Sequence, residues 1–559
     1  MAEIDEVVDG WLADEFDRNP VGASAVGAIS YDDQLGDLSA ARFEGEPRRS
    51  REWAARFGAL EHRGRPLDDR IDVTLVLTAL AGRATLEDWS VWRRDPATYL
   101  TPCLMGVFSL FLHRVRPEPE LVAAAISRLH QVPDVLDAGR TNLDPELTPP
   151  LFVERALAAC RAGESYLREQ LPAEVADDGL RGDLAAAAAV AADAMAGFGG
   201  YLGDLADTAH GDWALGEARY SALLLQRELL GYGAAELHAR GEAAWSALND
   251  EMTRLALSID PGASGWPEVI EALAREHPGS PAEMRLAYEE ATAEARRFLV
   301  ERDLVTLADG EECLVVPSPV FQRPILAVAS YGAPPPMSGS VKGHFFVPYP
   351  PEGVAAEAAG QRLADNGWHA IPSVTVHEAY PGHHWQLTWA SRTSRPLRHW
   401  IRTPYFVEGW ALYAEKLMRE QGYFADPRQE LYHLNMRIFR AARMVVDTAL
   451  HAGHMTRPEA VAHLRERAGL TDAVARAEVS RYCAWPTQAP SYLTGALEIE
   501  RIRERWQAGP GAGEGLRSFH DAIAASPGLP PALAELVVLR GTEDPDPATS
   551  RPPSPLRSW

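Results

Sequence analysis

At 559 residues the chain is longer than a single hydrophobic core usually organises, so two or three subdomains are expected. Its 46% hydrophobic and 24% charged residues are those of a folded globular protein and exclude a disordered one. With 79 acidic side chains against 54 basic ones and a formal net charge of −25, the surface repels phosphate backbones and anionic lipid, so neither nucleic acid nor a membrane is expected as a partner.

The first 27 residues carry Glu3, Asp5, Glu6, Asp9, Asp14, Glu15 and Asp17 and lack the basic start and apolar run of a secretory signal. Nowhere do 18 apolar residues follow one another without a charge; the Ala-rich stretch near 184–198 contains Asp193, so no membrane span is expected. Cys103, Cys160, Cys313 and Cys483 are scattered without a C-x-x-C pair, which argues against a thiolate zinc site and a disulfide scaffold. The expected location is the cytoplasm.

Residues 1–300 read as an N-terminal helical region. From about residue 50, Leu, Ala and aromatic residues recur at three- and four-residue spacing between Gly and Pro breaks. A long helical pattern over 220–257 is interrupted near Gly231 and Gly233. Ser280-Pro281-Ala282-Glu283 is a capping-box sequence and opens a helix running to about Arg302. No fixed-period repeat indicates a solenoid.

Residues 301–352 change texture and predict a small antiparallel β-sheet near the active site. Residues 304–307, the turn 308–310 and residues 313–316 read as strand, turn and strand, with further short strands at 325–330 and 344–347. The edge of such a sheet can pair with an extended peptide, or the sheet can simply brace the helices. Residues 353–541 return to helical texture and form the expected C-terminal catalytic region, with a further helix start at Thr456-Arg457-Pro458-Glu459. Residues 542–559, rich in Pro, Ser and Asp, read as a disordered tail.

The chemistry concentrates at His377-Glu378-Ala379-Tyr380-Pro381-Gly382-His383-His384. Neutral imidazoles hold zinc, and an adjacent carboxylate takes a proton from the attacking water. The common H-E-x-x-H pattern puts two histidines four apart on one helical face, but here Pro381 stands four residues after His377. In an unbroken helix, seven residues turn through about 700°, which aligns His384 with His377 and points His383 roughly 120° away. The axial rise of about 10.5 Å is long for two ligands of one ion, so a break at Pro381-Gly382 is expected to shorten it. Glu408, 24 residues after His384, opens a helical stretch and is the candidate third ligand. Two histidines and a carboxylate leave one position open, as a catalytic zinc requires.

These residues, with Glu408-Gly409-Trp410-Ala411-Leu412-Tyr413, resemble the bacterial family catalogued as domain of unknown function 885. The likeness extends from Asn19-Pro20 through the segments around Arg443 to His451 and Arg481 to Tyr492. That family in turn resembles helical zincin peptidases, the clan of oligopeptidases and dipeptidyl carboxypeptidases. The resemblance implies a mainly α, large helical zincin-like (neurolysin-like) fold with a deep channel. It also implies one Zn2+ ion held by His377, Glu408 and a second histidine, with Glu378 as general base. The continuation His384-Trp385-Gln386 resembles one branch of the clan and favours His384, with His383 as the alternative.

Helical zincins supply a tyrosine hydroxyl to the oxyanion, and Tyr492 is the candidate here, with Tyr482 in reserve. Its segment resembles one that usually has Gly where Thr487 stands. Arg443, Tyr482 and Gln488 are candidates for substrate binding, Arg443 by holding a substrate carboxylate in a bidentate pair. Arg443, Asp447 and His451 recur every four residues on one helical face, which reads either as support around the metal or, the preferred account, as an ion-pair ladder. The functional expectation is a zinc metallopeptidase. The alternatives are a zinc hydrolase of a small non-peptide amide or ester, and a non-catalytic helical binding protein that retains the site. A peptide or small-molecule substrate is the expected partner; the sequence leaves substrate identity and oligomeric state open.

Overall fold

The computed structural model describes residues 2–61, 64–323, 328–351 and 353–539. The chain is mainly α-helical, with one three-stranded sheet among the described residues, and it divides into two compact units. The first comprises residues 1–213 with 335–338, the second 214–334 with 339–559. The expected tail at 542–559 lies outside the described residues.

In the first unit, α1 (Ala97–His113), α2 (Glu118–Asn142), α3 (Pro150–Ser165) and α4 (Asp178–Ala206) pack side by side. The Asp177 side chain caps α4 by accepting from the backbone N–H groups of Gly179 and Leu180, a cap of about 1 kcal/mol. Leu184, Ala188, Ala191, Met195, Phe198 and Leu202 follow one another at alternating spacings of four and three, and all are buried. That stripe faces α2 and α3. By length and composition α4 could cross a membrane; here its apolar stripe is packed inside the unit.

The second unit begins well before residue 300, which moves the expected boundary. The helical texture on both sides of residue 214 is the same, so composition carries no mark of the division. Helix α5 (Ala234–Ile259) buries Leu237, Leu248 and Met252 and lies along a later helix at 427–451, which ties it to the C-terminal helices. Ser280 caps α6 (Pro281–Glu301) by accepting from the Glu283 N–H, so the helix starts where expected, but the Glu283 carboxylate accepts from the Gly279 N–H instead of closing the expected capping box.

The sheet is mixed, where an antiparallel one was expected. β1 (Glu312–Pro317), β2 (Ser330–Gly332) and β3 (Lys342–Val347) lie in the order β1-β3-β2. β3 runs parallel to β1, with Val315 opposite Phe345, and antiparallel to β2, with Tyr331 opposite the same Phe345. Residues 304–307 form no strand, because side chains take their backbone groups. The Thr306 carbonyl accepts from the Trp385 and Trp389 indoles at 2.8 and 2.9 Å, and its N–H donates to Asp521 at 3.0 Å. Of the strand expected at 325–330, residues 325–327 lie outside the described residues, and β2 begins at Ser330.

Beyond the sheet come α7 (Ile371–Glu378), α8 (His383–Ala390), α9 (Pro404–Glu420), α10 (Pro427–His451), α11 (Asp472–Ala484) and α12 (Ser491–Ala508). Helix α9 packs closely along α12. A Cβ on Gly495 would sit 1.8 Å from the Tyr405 carbonyl oxygen, so only glycine permits this approach. The contact brings the start of α12, with Tyr492, beside the turn of α9 that carries Glu408.

Candidate metal centre

The motif is broken where its sequence predicts. Helix α7 ends at Glu378 and α8 starts at His383. Pro381 has no N–H to continue the ladder, the Tyr380-Pro381 peptide is cis, and the Gly382 N–H turns back to the Val376 carbonyl at 3.0 Å. A Cβ on Gly382 would lie 1.9 Å from the His377 carbonyl oxygen, so the turn requires glycine. The Trp410 indole of α9 donates to the Pro381 carbonyl at 2.7 Å, and Trp410 stacks on Trp385 with centroids 5.1 Å apart. These contacts fix the turn against the helix that carries Glu408.

The break brings His383, not His384, beside His377. The two rings meet edge to face with centroids 4.8 Å apart. Nε2 of His377 lies 3.6 Å from Glu408 Oε2, and Nε2 of His383 lies 3.4 Å from the same oxygen. One ligand atom from each of the three residues falls within 4.8 Å of the others. Two ligands about 2.0–2.1 Å from a tetrahedral zinc stand roughly 3.3 Å apart, so the spacing and the donor chemistry both fit such an ion.

The preference for His384 as second ligand is therefore corrected. Both its ring nitrogens are engaged, Nδ1 with the Tyr331 hydroxyl at 2.9 Å and Nε2 with Glu311 Oε2 at 2.7 Å. Glu311 also accepts from Tyr380 and pairs with Arg296. Burial pushes the Glu311 carboxyl up, but these partners outweigh it and hold the group down at about 2. The seven-residue alignment of His377 with His384 holds only in a continuous helix; the turn resets the register by one residue.

Glu415 is a central residue to which the sequence reading gave no role. It lies two helical turns after Glu408 on the same face of α9, and it is 2% exposed. It accepts from His377 Nδ1 at 2.8 Å, from Ser373 at 3.0 Å and from His433 at 3.2 Å. With Nδ1–H donated to Glu415, Nε2 is the His377 nitrogen directed at His383 and Glu408, and on losing its proton it would offer the lone pair that a metal ligand needs. The seven-residue interval between Glu408 and Glu415 was a readable signal.

Three carboxylates, Glu378, Glu408 and Glu415, thus surround the imidazoles. Burial draws the His377 pKa down, but the hydrogen bonds to Glu408 and Glu415 raise it to about 10. Burial raises the carboxyls of Glu408 and Glu415, yet their histidine partners hold both well below the usual range. Burial dominates at Glu378 and raises it.

Tyr492 is half-buried, and its ring lies 4.8 Å from the Arg443 guanidinium and 5.8 Å from that of Arg440. Burial, then the Glu408 charge, raises its pKa, so the hydroxyl keeps its proton at neutral pH. Tyr482 is fully buried, donates to Glu478 at 2.6 Å and accepts from Arg443 at 3.2 Å, which closes it to the reserve role. Arg443 is already neutralised by Glu478 at 3.0 Å and is corrected as the substrate-carboxylate clamp. Gln488 is held by Arg481.

The expected ladder of Arg443, Asp447 and His451 does not form, because each faces a different partner. Asp447 accepts from the Tyr220 hydroxyl and the Thr487 N–H. His451 accepts from the Leu215 N–H at 3.2 Å and meets the Tyr482 carbonyl at 3.0 Å. Thr487 has φ +71°, which explains why glycine suits that position.

No curated protein matches the chain. Two solved structures share its fold. One, from Shewanella oneidensis, is described as a "putative lipoprotein of unknown function"; it is 20% identical with a TM-score of 0.79, over 96% of this chain and 99% of that one. The other, from Colwellia psychrerythraea and described as a "putative lipoprotein", is 19% identical with a TM-score of 0.77, over the same shares. At such identities the likeness shows fold alone. These descriptions overturn the cytoplasmic expectation, since lipoproteins are membrane-anchored or exported. The family described as "Bacterial protein of unknown function (DUF885)" matches residues 20–538, nearly the whole chain, and this protein belongs to it.

Proposed function

We propose that this protein is a zinc-dependent hydrolase that cleaves amide bonds, in the first instance those of peptides. One observation supports the reading above all others: His377 Nε2, His383 Nε2 and a Glu408 oxygen converge at ligand spacing, with Glu378 next in the chain to His377. His377, His383 and Glu408 would hold the ion, and Glu415 orients His377. Zinc, when bound, polarises the scissile carbonyl and acidifies water.

Glu378 takes the proton of the attacking water and passes it to the leaving amine. A carboxyl raised by burial is suited to both transfers, because it returns a proton more readily than it would as an exposed group. Tyr492 donates its hydroxyl proton in a hydrogen bond to the developing oxyanion. β1 begins one residue after Glu311, the partner of His384, so the outer strand of the sheet starts in the network that seats α8. Among the described residues β1 pairs only with β3, which leaves an edge suited to an extended peptide. A zincin-like fold with a substrate channel is part of the same proposal.

The test combines metal analysis with a peptide-library digest of wild type and Glu378→Gln. One zinc per chain in both proteins, with turnover lost about a thousandfold or more in the variant, is the expected outcome. Wild-type turnover in the variant, or protein that takes up no zinc, would overturn the reading.

A further inference from the structure

Arg437, Arg440 and Arg443 recur every three residues along α10. Arg437 pairs with Glu500 at 2.5 Å, and Arg443 pairs with Glu478 at 3.0 Å. Arg440, between them, is 8% exposed, yet no carboxylate among the described residues lies within ion-pair distance of it. Its Nη1 donates only to the Met436 carbonyl one turn back, at 3.0 Å, and its buried Nε has no partner. A guanidinium carries five donors, and a buried one left open in this way is costly.

The location of the open donors suggests what completes them. The Arg440 guanidinium carbon lies 5.8 Å from the centroid of Tyr492, the residue beside Glu408. Its charge acts on both Glu378 and Glu408. Without a cation, the surrounding carboxylates offset Arg440 at a distance. With a dication on His377, His383 and Glu408, that offset is taken up, and Arg440 remains as a positive group beside the reacting centre. A planar carboxylate matches a guanidinium through two parallel hydrogen bonds.

Resting on the hydrolase reading, we propose that Arg440 binds the free carboxylate of the substrate, so that the enzyme selects amides whose leaving portion ends in a carboxylate. Such substrates are acyl amino acids and short peptides with a free C-terminus. The role earlier considered for Arg443 falls to Arg440 because Glu478 leaves the first arginine no open charge.

The experiment uses the zinc-loaded full chain and two sets of probes. Benzoyl-capped short peptides are offered as free acids and as C-terminal amides, and benzoylglycine and its amide are used for equilibrium binding. Wild type is expected to favour the acid by roughly ten- to hundredfold in kcat/KM, and to bind benzoylglycine more tightly than its amide by a similar factor. In Arg440→Gln the acid-to-amide ratio should fall to near one, with Arg440→Lys between the two. Equal handling of acid and amide by wild type, or a preference retained in Arg440→Gln, overturns the proposal. Zinc content and cleavage of any amide probe report on the hydrolase reading, whereas the acid-to-amide ratio reports on Arg440. In a protein that cleaves nothing, the benzoylglycine binding comparison still decides the carboxylate site.

Discussion

His383 and His384 are adjacent residues with opposite roles. His383 faces Glu408 across 3.4 Å, whereas His384 is locked between Tyr331 and Glu311. Replacing each by alanine should separate those roles. On the proposed zinc reading, His383→Ala should lose stoichiometric zinc, because it removes one of the three proposed ligands. His384→Ala should retain zinc but lower the unfolding free energy by about 1–3 kcal/mol, the cost of stranding buried hydrogen-bond partners. Metal analysis and denaturant unfolding of the two variants check this, and zinc lost only from the His384 variant would reverse the assignment. Both histidines were legible in the sequence as candidates. Their order was not, because it depends on where each ring points after the turn.

Turns and helix contacts decide that pointing. Gly382 sits so close to the His377 carbonyl that any side chain displaces the start of α8. Gly382→Ala is expected to cost about 1–3 kcal/mol as an overpacking change and to weaken zinc binding as His383 moves; unfolding and metal titration measured together check it. A second element effect concerns the loop between α11 and α12, which leads to Tyr492. Asp447 reaches it from α10 through the Thr487 N–H, and Tyr405 donates to the Thr487 carbonyl at 2.9 Å. Burial raises the Asp447 carboxyl from 3.8 to about 7, despite hydrogen bonds from Tyr220 and Thr487 that pull the other way. The folded state therefore holds this proton more tightly than the unfolded chain. Its contribution is fully present below about pH 4, is lost as pH rises toward 7, and is flat above. Asp447→Asn should remove that decline, so its melting temperature should vary less between pH 4 and 7 than that of wild type. An unchanged slope would exclude Asp447 as its source.

At the scale of the whole chain, all candidate ligands and their supports belong to the second unit, residues 214–334 with 339–559. Zinc at a thousandfold excess over its Kd adds about 4 kcal/mol to the state that binds it. Calorimetry with and without zinc should therefore move the transition of the second unit upward and leave that of the first in place. A shift of the first unit's transition alone would contradict the ligand assignment. The division near residue 214 was itself invisible in composition, since helices of the same texture lie on both sides. α5 joins the second unit through its packing along α10, a long-range contact without a local sequence signature.

The sequence by itself determined the mainly helical class, the helix starts at Pro281 and Arg457, the break at Pro381-Gly382, and the grouping of His377 and Glu408. These follow from local periodicity, capping chemistry and backbone restrictions, which act over a few residues. Only the tertiary structure decided the parallel pairing of β1 with β3, the exclusion of His384, the placing of Glu415 behind His377, and the lack of a described carboxylate within ion-pair distance of Arg440. Each of these depends on which side chain meets which across helices distant in sequence, and no spacing along the chain encodes that meeting.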